Sequence, residues 1–145
     1  MEQEVPFGAK IKFLSVKIDQ KMNEKCRDWE LTGSQAQVLH YLYKCEQKGR
    51  QVNIRAMSEW LHQSHVTVLG VIDRMEQKGF VTTQTDPEDK RCRRVALTEK
   101  AYQAKAQIGR YHHYLDDTLL RGFSPQEQAV LADMMDRLLQ NACAL

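Results

Sequence analysis

The sequence predicts a mainly α-helical chain carrying one small two-stranded β element, and three observations lead there. Apolar residues recur at three- and four-residue spacing through most of the chain, the period of amphipathic helices. That period gives way once to short β-branched, alternating runs, "FVTTQT" and "RRVAL", on either side of "DPEDKR". Gly and Pro are scarce, seven and three in 145 residues, so little interrupts the helices.

The first helix runs from about Pro6 to Arg27, where Phe7, Ile11, Leu14, Ile18 and Met22 form one apolar stripe. "LTGSQ" opens a second, with Thr32 as cap and Gln35 completing a capping box. It carries Ala36, Leu39 and Tyr43, has Val38 and Leu42 beside them, and stops before Gly49. Asn53 caps a third, short helix whose buried edge is Ile54, Met57 and Leu61, with Trp60 alongside. After the break "HQS", Ser64 caps a fourth, "HVTVLGVIDRMEQKG". Its inward side is Val68, Val71, Ile72 and Met75, and Gly79 closes it. The two alternating runs then form a hairpin, Val95 and Leu97 toward the core, Arg94 and Ala96 away from it. Beyond Thr98 a fifth helix reaches about Leu120, with Ala101, Ala104, Ile108, Tyr111, Leu115 and Leu119 on one side. A sixth starts at Ser124, with Pro125 at its first position and Glu127 completing a second capping box.

The total charge decides nothing about partners, since 21 basic and 19 acidic residues nearly cancel. Its distribution is more telling, because four positive charges occupy the five positions from Lys90 to Arg94. The 42% hydrophobic content suits one packed domain. No signal-like or membrane-length apolar run occurs, so a cytosolic protein without a membrane partner is expected. Cys26, Cys45, Cys92 and Cys143 lie far apart without a C-x-x-C pair, which argues for reduced thiols rather than a disulfide framework or zinc ribbon. Catalytic motifs are missing too: there is no Gly-rich phosphate loop, no H-E-x-x-H and no nucleophile elbow. His62 and His65 flank Ser64, but Ser64 is better explained as a cap. His112 and His113 are neighbours on a helix, about 100° apart, and cannot easily share an ion. No enzyme, cofactor or metal is expected.

Helix, helix, short helix and ribbon is the order of a winged helix-turn-helix, in which the second helix of the motif enters the major groove of duplex DNA. The helix from Ser64 suits that place, because its inward stripe leaves Val66, Gly70, Asp73 and Gln77 outward, flanked by Thr67, Leu69 and Arg74. Its first turn, Ser64 and His65, presents backbone N–H groups and a positive dipole end that suit a phosphate. Two short strands would carry Arg91 into the adjoining minor groove, where Arg inserts without needing a unique base pattern. Arg93 and Arg94, further back, suit phosphates. A helical protein–protein adaptor is the rival reading. It accounts for the long apolar stripes and leaves the Lys90–Arg94 cluster without a purpose.

The segments "LTGSQAQVLHYL", "TVLGVIDRMEQKGFV" and "TDPEDKRCRRVALTEKA" resemble the multiple-antibiotic-resistance regulator (MarR) family, in family order and spacing, and with their flanking helices cover nearly the whole chain. The most specific part is Asp89-Lys90-Arg91 followed by Leu97-Thr98. The resemblance implies a single domain over residues 1–145: a winged-helix lobe at about 31–98 and dimerisation helices at about 5–28 and 99–143. It implies a homodimer on a pseudo-palindromic operator in double-stranded DNA, a repressor released by a small-molecule effector. Arg91 would be the wing-tip arginine, oriented by Asp89, and the reading helix would span Ser64 to Lys78. An aromatic or anionic effector would lie near Phe13, Lys17, His40 and Tyr43. Where family members sense oxidants, Cys92 between Arg91 and Arg93 is the better candidate thiol and Cys26 the poorer. Zinc-responsive members have ligands where this chain has only Ala36 and Gln37. One departure stands out: many members have Thr-Arg or Ser-Arg where this chain has Leu69-Gly70. A glycine there allows closer approach to the groove, with Val66 or Leu69 against a thymine methyl.

Overall fold

Helices begin in this chain wherever a short polar side chain can take up a backbone N–H that the first turn leaves without a partner. The computed structural model describes residues 4–89 and 93–145, and its elements follow that rule closely. They are α1 (Phe7–Asp28), α2 (Gly33–Gln47), α3 (Ile54–Leu61), α4 (His65–Gln77), β1 (Val81–Thr85), β2 (Arg93–Leu97), α5 (Glu99–Leu119) and α6 (Pro125–Ala142). Thr32 and Gln35 exchange both bonds of a capping box before α2, and Ser124 and Glu127 do the same before α6. Asn53 accepts from the Ala56 N–H at 3.0 Å and Ser64 from the Thr67 N–H at 3.1 Å. Thr98 accepts from the Ala101 N–H at 3.4 Å at the start of α5. Only α1 starts without a side-chain cap.

The end of α4 is equally local in origin. Gly79 takes φ +83°, and the Phe80 N–H reaches back to the Met75 carbonyl at 2.9 Å while the Gly79 N–H bonds that of Glu76. This Schellman closure turns the chain directly into β1. The strands pair antiparallel, with Val81 opposite Leu97, Thr83 opposite Val95 and Thr85 opposite Arg93.

Two compact units make up the chain, residues 1–111 and 112–145. The first is wider than the lobe outlined from the sequence, because it includes α1 and the start of α5. Its core joins Val38, Leu39 and Leu42 of α2, Met57 of α3, and Val68, Val71, Ile72 and Met75 of α4. Cys26, Leu31, Phe80, Val81, Ala101, Ala104 and Ile108 complete it. The four inward positions expected of α4 are all buried, and Val95 and Leu97 pack partly buried against the same core.

A polar joint at the surface, with only Gln35 buried, supports the α1–α2 turn. Glu30 adopts a left-handed φ of 61°, and the Lys78 ammonium donates to its carbonyl at 2.8 Å and to the buried Gln35 Oε1 at 2.9 Å. Lys100 donates to the Glu30 carboxylate at 2.9 Å and to the Lys78 carbonyl at 2.7 Å. In the second unit, α6 has no buried residue among those described. Val130, Met134, Met135 and Leu139 lie exposed along it, with Phe123 just before.

Candidate nucleic-acid interface

The turn between α3 and α4 is three residues long, and His62 holds a left-handed φ of 53° within it. That turn, together with the four core residues of α4, decides which face of the helix meets solvent. Val66 is 79% exposed, and Thr67, Asp73, Arg74 and Gln77 are exposed with it. Leu69 and Gly70 are partly exposed. A Cβ placed on Gly70 would meet no backbone or core atom. It would find only the Arg74 Nη2, 3.8 Å away. Gly70 is therefore not required by internal packing, and the Arg74 guanidinium lies alongside the bare position it leaves. At the start of the helix the Ser64 and Thr67 hydroxyls share a hydrogen bond of 2.7 Å, and His65 is exposed beside them.

The ribbon stands next to this face. Because side chains alternate along a strand, Thr83, Thr85, Arg93 and Val95 share the side toward α4. There Thr83 donates to the Glu76 carboxylate, and the Arg93 Nη1 bonds the Asp73 Oδ1 at 2.7 Å. On the opposite side the Arg94 Nε lies 3.5 Å from Asp86 Oδ2. Asp86 also accepts from the Glu88 N–H at 2.9 Å. That backbone bond, and after it the Arg94 guanidinium, hold the Asp86 carboxyl below the usual carboxylate range. Both arginines that the sequence assigns to phosphates are thus paired with carboxylates inside the molecule. Asp89 is exposed. Lys90, Arg91 and Cys92 lie outside the described residues.

A groove of about 840 Å³ runs between β2, the start of α4 and the segment leading into α3. Arg50, Arg55, His65, Arg93 and Arg94 line it, against Glu46 and Asp86. Arg50 and Arg55 are the functional candidates that the sequence did not reveal. Each is a lone basic residue in a polar stretch, and only the fold brings them beside the wing.

Each of the four effector candidates has an aromatic or cationic neighbour. Lys17 Nζ sits 5.6 Å from the Phe13 ring centroid, His40 stacks on Trp60 at 6.3 Å, and Lys105 Nζ lies 4.9 Å from the Tyr43 centroid. None of the four lines the groove or the cleft between α4 and the wing. Cys26 is 1% exposed, and burial pushes its thiol up, away from the reactive thiolate. Among the described residues no three His, Cys, Asp or Glu side chains come together as metal ligands, and no helix is long and apolar enough to cross a membrane.

A family model described as a winged helix DNA-binding domain matches residues 31–101. Solved structures share the fold across nearly the full chain. The MepR–DNA complex of S. aureus superimposes with a TM-score of 0.72 at 19% identity, covering 94% of this chain and 96% of that one. The transcriptional regulator SlyA gives 0.75 at 25% identity, with 95% and 94% covered. A MarR family protein from Bacillus stearothermophilus gives 0.79 at 19% identity, with 94% and 92% covered. Residues 31–101 thus resemble a winged helix DNA-binding domain, and the chain has the fold of the MarR-type transcriptional regulators.

Proposed function

We propose that this chain is a sequence-specific repressor that binds duplex DNA as a homodimer and lets go when a small effector binds. The observation that carries the reading is the side-by-side placement of the exposed face of α4 and the ribbon, joined by the 2.7 Å Arg93–Asp73 pair. A helix in the major groove and a wing in the adjoining minor groove need this placement on one side of the molecule. The groove lined by Arg50, Arg55 and His65 continues the basic surface and suits a phosphate strand. The DNA complex of MepR, a protein of the same fold, supports the same reading.

Within it, Arg91 is the minor-groove arginine and Asp89 orients it. Arg74, lying over Gly70, offers the major groove a guanidinium able to bond guanine through both N7 and O6. Val66 and Leu69 suit a thymine methyl. Pairing of α6 and α1 with their copies accounts for the apolar residues that a single chain leaves wet. A small aromatic anion is the effector class that fits Lys17 over Phe13 and Lys105 over Tyr43, each a cation against a ring.

Fluorescence anisotropy with the DNA upstream of the coding sequence, at two salt concentrations, tests the proposal. Specific binding is expected. Arg91→Ala and Arg74→Ala should each cost about 1–3 kcal/mol with the fold intact, the second also relaxing discrimination at one base pair. Benzoate should lower the affinity. An adaptor that binds only protein would show no specific binding, and an unchanged Arg91→Ala would remove the minor-groove role.

A further inference from the structure

Asp73 is an odd residue to find on the outward face of a helix that approaches a polyanion. It shares that face with Val66, Gly70 and Gln77, at intervals of four, three and four residues. A bare carboxylate there repels phosphate, and nothing in the core requires it, because Asp73 is exposed. Its one described partner is Arg93, on the strand opposite, at 2.7 Å. The cleft between them is lined by the same two residues together with Glu76, Gln77, Thr83 and Gln84. Glu76, the other carboxylate in that cleft, is engaged by Thr83.

We propose that Asp73 withholds Arg93 from the DNA backbone and so sets a lower sequence-independent affinity. The inference rests on the DNA-binding reading above and deepens it. An arginine at the loop end of the wing strands would neutralise one phosphate on any duplex, whatever its sequence. Each phosphate so neutralised adds about 0.9 to the slope of log affinity against log salt and strengthens every competing site equally. Holding Arg93 against a carboxylate of the reading helix removes that contribution. It leaves base contacts from Arg74 and groove insertion by Arg91 to decide where the protein settles.

The test uses the full chain and two duplexes, a selected operator and a scrambled sequence of equal length, titrated from about 50 to 200 mM salt. Asp73→Asn preserves shape and removes the charge. It should tighten binding to both duplexes, steepen the salt slope of each by about 0.9, equivalent to a further loss of roughly threefold over that range, and leave the ratio of operator to scrambled affinity unchanged. Arg93→Gln alone should leave the scrambled-duplex slope where it was. The double variant, Asp73→Asn with Arg93→Gln, should return the slope to that of the parent. An unchanged slope in Asp73→Asn overturns the proposal. So does a slope shallower by about 0.9 in Arg93→Gln, since that arginine would then already meet a phosphate. If the parent binds neither duplex, the DNA-binding reading fails together with the proposal, a result distinct from the other two.

Discussion

Single residues carry several of the joints in this fold, and Glu30 shows how. It occupies a left-handed backbone conformation without being glycine, a position that costs on the order of 1 kcal/mol. Two lysines compensate: Lys78 on its carbonyl and Lys100 on its carboxylate. The hydrogen bond and charge of Lys100 hold the Glu30 carboxyl below its ordinary value. A carboxylate whose pKa is lower folded than unfolded stabilises the native state above its unfolded value, and that contribution disappears as pH falls through the folded one. Urea unfolding should therefore show the parent more stable than Glu30→Gln at neutral pH, with the gap closing as pH falls through the lowered folded value. A gap that persists in acid would mean that the bond to Lys100 contributes through shape alone. Thr98 is a second such residue. Its hydroxyl lies 2.6 Å from the Gly79 carbonyl while accepting from the Ala101 N–H, so one side chain joins the end of α4 to the start of α5. Cys26 shows the reverse case, a thiol whose burial makes it part of the core and a poor sensor.

At the scale of elements, what the sequence revealed was local. The Thr32, Asn53, Ser64 and Ser124 caps, the Gly79 closure and the inward stripe of α4 all depend on residues within four or five positions of one another, and spacing alone exposes them. The Arg93–Asp73 pair spans 20 positions and the Lys78–Gln35 bond 43, so neither leaves a periodic trace. That is why Arg93 and Arg94 read as free phosphate contacts when the fold supplies each with a carboxylate. Arg50 and Arg55 escaped notice for the same reason, since their place beside the wing is a product of the α2–α3 connection. The helix stripes posed a different difficulty. Spacing shows that an apolar face exists but not what covers it, and α6 proves to have no buried residue in the single chain. Leu139 is 60% exposed and Met135 lies exposed one turn earlier on the same side. In the proposed homodimer a second copy would cover such a stripe. Replacing both with Arg should convert a dimer seen by light scattering into a monomer at micromolar concentration and weaken operator binding at least tenfold. A double variant that stays dimeric would exclude α6 from the interface.

The whole molecule joins these scales through one geometric claim: the outward face of α4 and the wing meet the same segment of DNA, twice in a symmetric dimer. Two-fold pairing places the two reading helices about one helical turn apart, 34–36 Å along the duplex, so the binding site must mirror that symmetry. On the proposed reading, the groove between β2 and α3 would flank each half-site, and Asp73 would hold Arg93 back from the phosphates. Hydroxyl-radical footprinting of the purified protein on the DNA upstream of its coding sequence measures this most directly. Two protected half-sites are predicted, centred about 10 base pairs apart or a multiple of that, with minor-groove protection at their outer edges that Arg91→Ala removes while leaving the central pattern. A single unsymmetrical patch, or protection that does not change in that variant, would contradict the account.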